Sequence, residues 1–311
     1  MYRDRLPQLD GGLFLTDSGL ETALIFLEGV ELPLFAAFVL LDTEEGTERL
    51  RRYFQRHAAI AEEAGAGFVA EAATWRANPD WAAQLGYDSA ALDRVNRQAI
   101  QLLVELREGF EGGPFVISGC VGPRGDGYSP ETLMTPEEAE RYHAEQVGTF
   151  ADTEADMVTA MTMTHTGEAI GVVRAAAAAG IPVVIGITVE TDGRLPSGET
   201  LAEAVTTVDD ATGSAPAYYM VNCAHPTHFE DVLAVDEPWV GRIRSIRANA
   251  SRRSHAELDE AEDLDDGDPD ELGAEYARLR AAHPGLAVLG GCCGTDVRHV
   301  AAISAACALP T

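Results

Sequence analysis

"EAIGVVRAAAAAGIPVVIGITV", residues Glu168 to Val189, contains the repeating unit of the fold in a single stretch. Its first part is rich in alanine and places apolar residues at three- and four-residue spacings, which predicts a helix. Gly180 follows as a typical helix stop, because glycine readily adopts the left-handed conformation that ends many helices. The apolar run after Pro182 shows no polar alternation, which is typical of a parallel strand buried on both faces. The stretch therefore predicts a helix followed directly by a buried parallel strand.

Short apolar runs of this kind recur along the 311 residues, with amphipathic segments between them. The predicted strands are Leu13–Asp17, Gly67–Thr74, Phe115–Val121, Asp156–Thr162, Pro182–Val189, Tyr218–Cys223, Arg242–Asn249 and Leu286–Gly291. Eight alternating strand–helix units favour a closed (β/α)8 barrel of the TIM type, forming a single domain over residues 1–311. An open, doubly wound sheet is the alternative.

The segments between the strands predict helices over residues 46–65, 88–109 and 135–153, where apolar residues recur at helical spacing. Thr135 precedes Pro136, which predicts a capping residue followed by proline at the first helical position. Helices of this kind pack on the outside of a parallel barrel.

All 22 basic residues are arginine, and the net charge is −29. This balance argues against a nucleic-acid partner, because phosphate contacts need clustered positive charge. We interpret it as a hydrated acidic surface, such as a salt-rich cytoplasm favours. Because no segment resembles a signal peptide or a membrane span, we expect a cytoplasmic protein with no membrane partner. The acidic stretch at about residues 255–272 predicts a solvated loop between the seventh strand and its helix.

Three cysteines lie directly after predicted strands. Cys223 ends strand six in "YYMVNCAHP", and Cys292 and Cys293 follow strand eight in "LAVLGGCCG". Loops at the carboxyl ends of barrel strands open onto one mouth, where the active site of such barrels lies. Three sulfur ligands suit zinc, and three protein ligands with an open fourth position are typical of catalytic zinc. The sequence therefore predicts Cys223, Cys292 and Cys293 as zinc ligands, whereas Cys120 and Cys307 are predicted to be packing residues.

Three other interpretations of these residues stay open. The adjacent Cys292 and Cys293 could form a disulfide. The glycine-rich loop at Gly290–Gly294 could bind phosphate through backbone N–H groups, as in a metal-free barrel lyase or aldolase. Such enzymes usually need a catalytic lysine, which this chain lacks. His225 could supply a fourth ligand and make the zinc purely structural.

A zinc ion held by three thiolates carries a net negative charge, so it acidifies water poorly and is a weak centre for hydrolysis. It can still bind an incoming thiol as thiolate and lower the pKa of that thiol below its free value of about 8.5. The bound sulfur keeps much of its nucleophilicity and can attack an activated methyl group. The cysteine pattern therefore predicts alkyl transfer to a thiol, with the three cysteines as the catalytic centre.

These residues resemble the homocysteine S-methyltransferase family. "VNCAHP" and "GGCCGT" resemble its two zinc motifs, so Cys223, Cys292 and Cys293 take the ligand positions. "LTDSGLETAL" resembles its first-strand motif, in which an aspartate lines the thiol pocket, and "AATWRAN", "GCVGPRGD" and "RANAS" resemble the motifs of strands two, three and seven. The resemblance covers nearly the whole chain. It implies zinc, a (β/α)8 barrel, and methyl transfer to homocysteine or a related thiol in methionine biosynthesis.

The chain departs from the family at the end of strand four. The family usually has Glu-Thr there, with the glutamate holding the substrate amino group, but this chain has Met161 and Thr162. Losing such a charge-assisted hydrogen bond would cost about 1.5–3 kcal/mol. Two carboxylates at other strand ends could replace it, and our hypothesis favours Glu71 over Glu21, because alternation along strand two can point Glu71 inward. Without such a replacement, the acceptor would be a different thiol or a selenol. The predicted substrate-binding residues are Asp17, Ser18, Gly19, Glu21, Glu71 and Asn222.

The resemblance implies a small methyl donor, either a sulfonium such as S-methylmethionine or S-adenosylmethionine, or a quaternary ammonium such as betaine. Trp75 and Tyr128 lie near strand ends and could offer an aromatic face to such a cation. No G-x-G-x-x-G loop follows a strand, so a Rossmann-type S-adenosylmethionine site is not implied. The predicted partners are a thiol acceptor and a methyl donor, and the sequence is compatible with a homo-oligomer.

Overall fold

A computed structural model of the chain describes residues 1–128, 133–261 and 263–308. Eight parallel strands follow one another around a closed barrel, and the last strand pairs with the first. The strands are β1 Phe14–Thr16, β2 Gly67–Glu71, β3 Phe115–Val121, β4 Met157–Met163, β5 Val183–Ile187, β6 Tyr218–Asn222, β7 Ile243–Ala248 and β8 Val288–Gly291. The predicted (β/α)8 barrel is confirmed, and the open-sheet alternative is wrong.

A helix follows each strand and packs on the outside of the barrel. The barrel helices are α1 Glu44–Glu63, α2 Ser89–Glu108, α3 Pro136–Ala151, α4 Thr166–Ala179, α5 Leu201–Thr212, α6 Glu230–Leu233, α7 Pro269–Ala282 and α8 Val297–Cys307. Shorter helical segments are Pro7–Leu9, Leu20–Thr22, Ala23–Leu27, Pro33–Phe35, Ala37–Asp42, Pro79–Gln84, Pro226–His228, Pro238–Arg242 and His255–Asp259. None of the helices in the described ranges is long and apolar enough to cross a bilayer.

Local sequence signals set the ends of these helices. The hydroxyl of Thr135 accepts a hydrogen bond from the backbone N–H of Glu138 at 3.3 Å, and the Glu138 carboxylate accepts one from the N–H of Thr135 at 3.0 Å. This reciprocal cap begins α3 at Pro136, as predicted. Gly180 has φ of 68° and ends α4, which confirms the predicted glycine stop.

The core has two layers. Apolar side chains between the strands and the helices form the larger layer, and a second cluster fills the inside of the barrel. The inner cluster includes Phe14, Cys120, Met161 and Tyr218, so Met161 packs inside the barrel. Cys307 packs in the outer layer. Cys120 and Cys307 are therefore buried packing residues, as predicted.

The acidic stretch at residues 255–272 forms a shorter loop than predicted. The Ser254 hydroxyl caps the helix His255–Asp259, and Asp268 caps α7, which begins at Pro269. Serine and aspartate are favoured capping residues, and this local signal outweighs the unfavourable charge density that suggested a continuous loop. The prediction is therefore wrong at both ends of the stretch, while its middle is non-helical where the structure describes it.

Candidate metal centre and substrate site

The sulfurs of Cys223, Cys292 and Cys293 all lie within 4.8 Å of one another at the carboxyl ends of β6 and β8. The structure pairs Cys223 and Cys292 as a disulfide, with their Cα atoms 5.4 Å apart, and the disulfide therefore does not join the two adjacent cysteines. Cys223 and Cys292 are buried, and Cys293 is partly exposed. Within the described ranges, no histidine or carboxylate joins this group of potential metal ligands.

A tight turn brings the two adjacent cysteines to the same site. The N–H of Thr295 donates to the carbonyl of Cys292 at 3.1 Å, and Gly294, the third residue of this turn, has φ of 79°. A turn of this kind requires a positive φ at its third residue, which glycine adopts at no steric cost. The chain therefore leaves the strand at Gly291 and turns, so that the sulfurs of neighbouring residues need not point to opposite faces.

The backbone of Cys223 is held in an unusual conformation. Its φ of 54° lies in the left-handed region, which is uncommon for a residue other than glycine. Its carbonyl oxygen accepts hydrogen bonds from His255 Nε2 at 2.6 Å, Asn249 Nδ2 at 3.1 Å and Thr188 Oγ1 at 3.4 Å. His255 also contacts Glu190 at 3.0 Å through Nδ1. These contacts hold the backbone of Cys223 in its left-handed conformation and thereby fix the direction of its sulfur.

Tyr128 approaches the sulfurs from the loop after β3. Its hydroxyl oxygen lies 3.5 Å from the sulfurs of both Cys223 and Cys293, and its ring centroid lies 4.3 Å from that of His255. Burial raises the pKa of Tyr128 well above its usual value, and the charge of Cys293 raises it further. The tyrosine therefore presents a protonated hydroxyl to the sulfur cluster.

Arg247 and Asp17 form a buried ion pair beside the cysteines. Arg247 Nη1 lies 2.9 Å from Asp17 Oδ1, Nε donates to the carbonyl of Gly291 at 3.0 Å, and Nη2 donates to the carbonyl of Ser18 at 2.9 Å. The Tyr53 hydroxyl donates to Asp17 Oδ2 at 3.1 Å. Burial would lower the pKa of Arg247, but the charges of Asp17, Glu71 and Tyr53 together outweigh it and raise that pKa above its usual range. The guanidinium thus ties the ends of β1, β7 and β8 together.

Ser18 and Gly19 connect β1 to its surroundings. The Ser18 hydroxyl lies 2.8 Å from His57 Nε2, so its side chain points toward α1. The N–H of Gly19 contacts Thr295 Oγ1 at 3.2 Å, and a Cβ atom at Gly19 would overlap the carbonyl of Cys292. Glycine is required here because the backbone after β1 lies directly against the turn that carries the cysteine pair.

Glu71 points into the barrel and keeps one oxygen unpaired. Its Oε1 accepts a hydrogen bond from Thr159 Oγ1 at 2.8 Å, while its buried Oε2 has no hydrogen-bond partner. Burial raises the pKa of Glu71 to about 7. Glu21 is partly exposed, whereas Glu71 is buried. The pKa of Glu21 is also raised to about 7, mainly by burial and to a smaller extent by the charge of Asp17. Of these two carboxylates, Glu71 is the one with a buried oxygen that can accept a hydrogen bond from a bound substrate.

Comparison with known proteins identifies the relatives of this arrangement. The sequence model of a protein family described as homocysteine S-methyltransferase matches residues 16–307. The chain belongs to the homocysteine S-methyltransferase family. It is accordingly a methyltransferase.

Solved structures of homocysteine S-methyltransferases show the same fold. The metallated form of the homocysteine methyltransferase MmuM from Escherichia coli is 20% identical, with a TM-score of 0.73 over 95% of this chain and 96% of that chain. Its oxidized form is also 20% identical, with a TM-score of 0.73 over 94% of this chain and 95% of that chain. The comparison with curated protein sequences gives no match.

Met161 occupies the position where the resemblance to the family led us to expect a glutamate. Met161 is buried in the barrel interior, and the next residue, Thr162, has φ of 64°. The Asn222 side chain accepts a hydrogen bond from the N–H of Thr162 at 3.0 Å and donates one to its hydroxyl at 2.9 Å. Asn222, predicted to bind substrate, thus holds the end of β4 in place.

Two further sequence interpretations change in the structure. The guanidinium carbon of Arg76 lies over the Trp75 ring, 4.1 Å from its centroid, so this face of Trp75 already binds a cation. His225 Nε2 lies 3.3 Å from Glu275, and its Nδ1 lies 2.9 Å from Thr227 Oγ1. Both nitrogens of His225 therefore contact groups other than the sulfurs, which argues against a fourth histidine ligand.

Sequence reasoning missed several residues around the site. Arg247 and Asn249 both lie within the stretch "RANAS", which was assigned to strand seven without roles for its side chains. Alternation along a strand that ends at the mouth could have indicated that Arg247 points inward. Tyr53 and His255 come from elements distant in sequence, and no local pattern marks them.

Proposed function

We propose that this protein transfers a methyl group from a small sulfonium or quaternary ammonium donor to a thiol acceptor, in a zinc-dependent reaction. Homocysteine, which would give methionine, or a closely related aminothiol is the proposed acceptor. The observation that carries the proposal is the convergence of three cysteine sulfurs at the mouth of the barrel. Family membership supports thiol methyl transfer.

The donor set fits zinc. Three sulfurs from β6 and β8 lie close enough to share one ion, and soft thiolate ligands favour zinc over magnesium or calcium. Cys223, Cys292 and Cys293 would hold the ion in their reduced form, since a thiolate and not a disulfide is the ligand. The homocysteine methyltransferase MmuM from Escherichia coli, which has the same fold, is known in a metallated form. When bound, zinc would stabilise an acceptor sulfur as its thiolate.

The protein's own residues would bind and orient the acceptor. Asp17, held by Arg247, and the backbone at Gly19 form the wall beside the cysteine pair. The unpaired Oε2 of Glu71 offers a buried acceptor for the ammonium group of an aminothiol, in place of the glutamate replaced by Met161. The Tyr128 hydroxyl can donate a hydrogen bond to sulfur at the centre. We also propose a cytoplasmic location, where the cysteines would stay reduced.

A transfer assay tests the proposal. Reduced, zinc-loaded protein is incubated with each of several thiols and with sulfonium or betaine donors, and S-methyl products are measured by mass spectrometry. We expect methionine or another S-methyl thioether with wild type and none with Cys293→Ser, while Cys307→Ser remains active. If no thiol is methylated with any donor, or if Cys293→Ser is as active as wild type, the proposal is wrong.

A further inference from the structure

A short stretch after β2 builds a stack of three planar groups. The guanidinium carbon of Arg76 lies 4.1 Å from the centroid of the Trp75 ring and 3.8 Å from that of the Trp81 ring. Arg76 is 7% exposed, and its guanidinium is in contact with both aromatic rings. Only the edge of the guanidinium can donate hydrogen bonds, and such an edge matches the two oxygens of a carboxylate.

The edge of Arg76 is largely unused. Its Nη1 donates to the carbonyl of Gly125 at 3.2 Å, which is the single hydrogen bond of this guanidinium within the described ranges. Its Nε is buried without a partner, and so are the indole nitrogens of Trp75 and Trp81. None of the salt bridges among the described residues involves Arg76, although the charge of Asp126, next to Gly125 in the same loop, raises the pKa of Arg76 against the effect of burial. Buried N–H groups are nearly always paired, so three unpaired donors in one stack indicate an acceptor that the protein itself does not provide.

This stack faces the mouth that carries the cysteines. Gly125 belongs to the same loop as Tyr128, whose hydroxyl contacts the sulfurs of Cys223 and Cys293. Burial lowers the pKa of Arg76, although the arginine stays charged at neutral pH. A Cβ atom built at Gly127, in the same loop, would lie 3.0 Å from Cζ2 of Trp75 and 3.2 Å from Cγ2 of Thr162. The Thr162 hydroxyl lies 3.9 Å from the Cys223 sulfur, so the stack lies beside the mouth that carries the cysteines. A substrate bound at the sulfurs therefore lies near an unpaired guanidinium edge.

We propose that Arg76, clamped between Trp75 and Trp81, binds a carboxylate of one of the two substrates. This inference rests on the proposed methyl transfer, since it identifies the substrate by its anionic group. The carboxylate belongs either to an amino-acid thiol acceptor or to a methyl donor that carries an acid group. In both cases Arg76 is a specificity-determining residue, because it favours the acid over neutral analogues of the same size.

Ligand pairs test the inference without a mutation. Binding of homocysteine and of homocysteine carboxamide to reduced, zinc-loaded wild type is measured by calorimetry, and a second arm compares S-methylmethionine with its carboxamide. We expect one arm to show a preference for the acid of about tenfold to a hundredfold, the size of a charge-assisted hydrogen bond. The arm that shows it identifies the substrate whose carboxylate is bound. Equal binding of acid and amide in both arms, or no binding at all, would overturn the inference.

A variant assigns the preference to Arg76. We expect Arg76→Met to bind acid and amide equally in the arm that wild type discriminates, and Arg76→Lys to keep only part of the preference, because lysine lacks the planar fork. Arg124→Met is the matched control, since Arg124 stacks on Tyr142 and pairs with Asp80 at 2.7 Å. The inference is wrong if folded Arg76→Met keeps the full preference for the acid, or if Arg124→Met loses that preference to the same extent. If Arg76→Met does not fold, Arg76→Lys decides, and an undiminished preference in that variant contradicts the inference.

Failure of the inference differs from failure of the proposed function. Binding is measured without turnover, so a preference for the acid can be found even if no methyl group is transferred. Conversely, if the protein transfers methyl groups but binds the acid and the amide equally well, the proposed function stands and the role of Arg76 is wrong.

Discussion

The Nη1 atom of Arg247 lies 2.9 Å from the Oδ1 atom of Asp17, and the two side chains join β7 to β1 beside the cysteine pair. Both side chains are almost fully buried. A buried ion pair is costly to desolvate and is retained where its geometry is needed. Here the same guanidinium also donates to the carbonyl of Gly291, the last residue before Cys292. The pair therefore couples the position of Asp17 to the strand that carries two of the three sulfurs.

Replacing Arg247 by methionine should destabilise the protein strongly. The substitution leaves the Asp17 carboxylate buried without its counter-charge, and breaking a buried pair in this way costs about 3–5 kcal/mol. Urea unfolding of the metal-free, reduced protein measures the loss. Arg5→Gln is the control, because the Arg5–Asp10 pair has exposed side chains, 78% and 44%, and should contribute less than about 1 kcal/mol. Equal losses for both variants would contradict the role assigned to Arg247.

Glu71 should make stability depend on pH. Burial raises its pKa from 4.5 to about 7, so the folded protein binds this proton more tightly than the unfolded chain does. The resulting stability is present below pH 4.5 and is lost as the pH rises from about 4.5 to about 7. Relative to wild type, Glu71→Gln should therefore gain about 3 kcal/mol between pH 4.5 and pH 8.

Urea unfolding of the metal-free protein at several pH values measures this difference. Glu45→Gln is the control, because the Glu45 side chain is 87% exposed and its substitution should give a flat difference. A flat difference for Glu71→Gln as well would show that Glu71 titrates as an ordinary carboxyl group.

Glu71 should also select acceptors by their amino group. We expect Glu71→Gln to weaken the binding of homocysteine by about tenfold or more, because the charge-assisted hydrogen bond to the ammonium group is lost. Binding of 3-mercaptopropionate, which has no amino group, should not change. Calorimetry on the reduced, zinc-loaded protein at pH 8 measures both. Unchanged binding of homocysteine removes Glu71 from the acceptor site.

Asn249 should support the metal centre through the backbone of Cys223. Its Nδ2 donates to the carbonyl of Cys223, whose left-handed backbone needs such support. We expect Asn249→Ala to lower zinc affinity by about 10- to 100-fold, as is usual when a group that orients a metal ligand is lost. Competition with a chromophoric chelator measures the affinity. Asn96→Ala, which removes a buried asparagine that donates to Ala77 and Leu92 instead, should leave the zinc affinity at the wild-type value.

Much of the fold was predictable because its signals are local. Buried strands are short apolar runs, and caps such as Thr135 and stops such as Gly180 act within a few residues. The cysteine cluster was predictable because strand ends of a parallel barrel meet at one mouth. The acidic stretch was wrongly predicted to be one continuous loop. Its high charge density favoured a loop, but Ser254 and Asp268 cap helices at its two ends.

Side-chain partners around the site depend on contacts that no sequence spacing encodes. The Arg76 guanidinium meets Trp81 through a turn of the chain, and Tyr53 reaches Asp17 from α1. The suggestion that Trp75 could offer an aromatic face to a cationic donor did not take into account the adjacent Arg76, whose guanidinium lies over one face of the ring. Such competition between neighbours is decided by three-dimensional packing.

Metal content of the purified, reduced protein tests the central claim most directly. We predict one zinc ion per chain by elemental analysis, with the ion lost or reduced to a small fraction in each of Cys223→Ser, Cys292→Ser and Cys293→Ser. Cys120→Ser, at a buried cysteine of the barrel interior, should keep one zinc per chain. A zinc-free wild type after reconstitution under reducing conditions, or full zinc in any one of the three variants, would contradict the account.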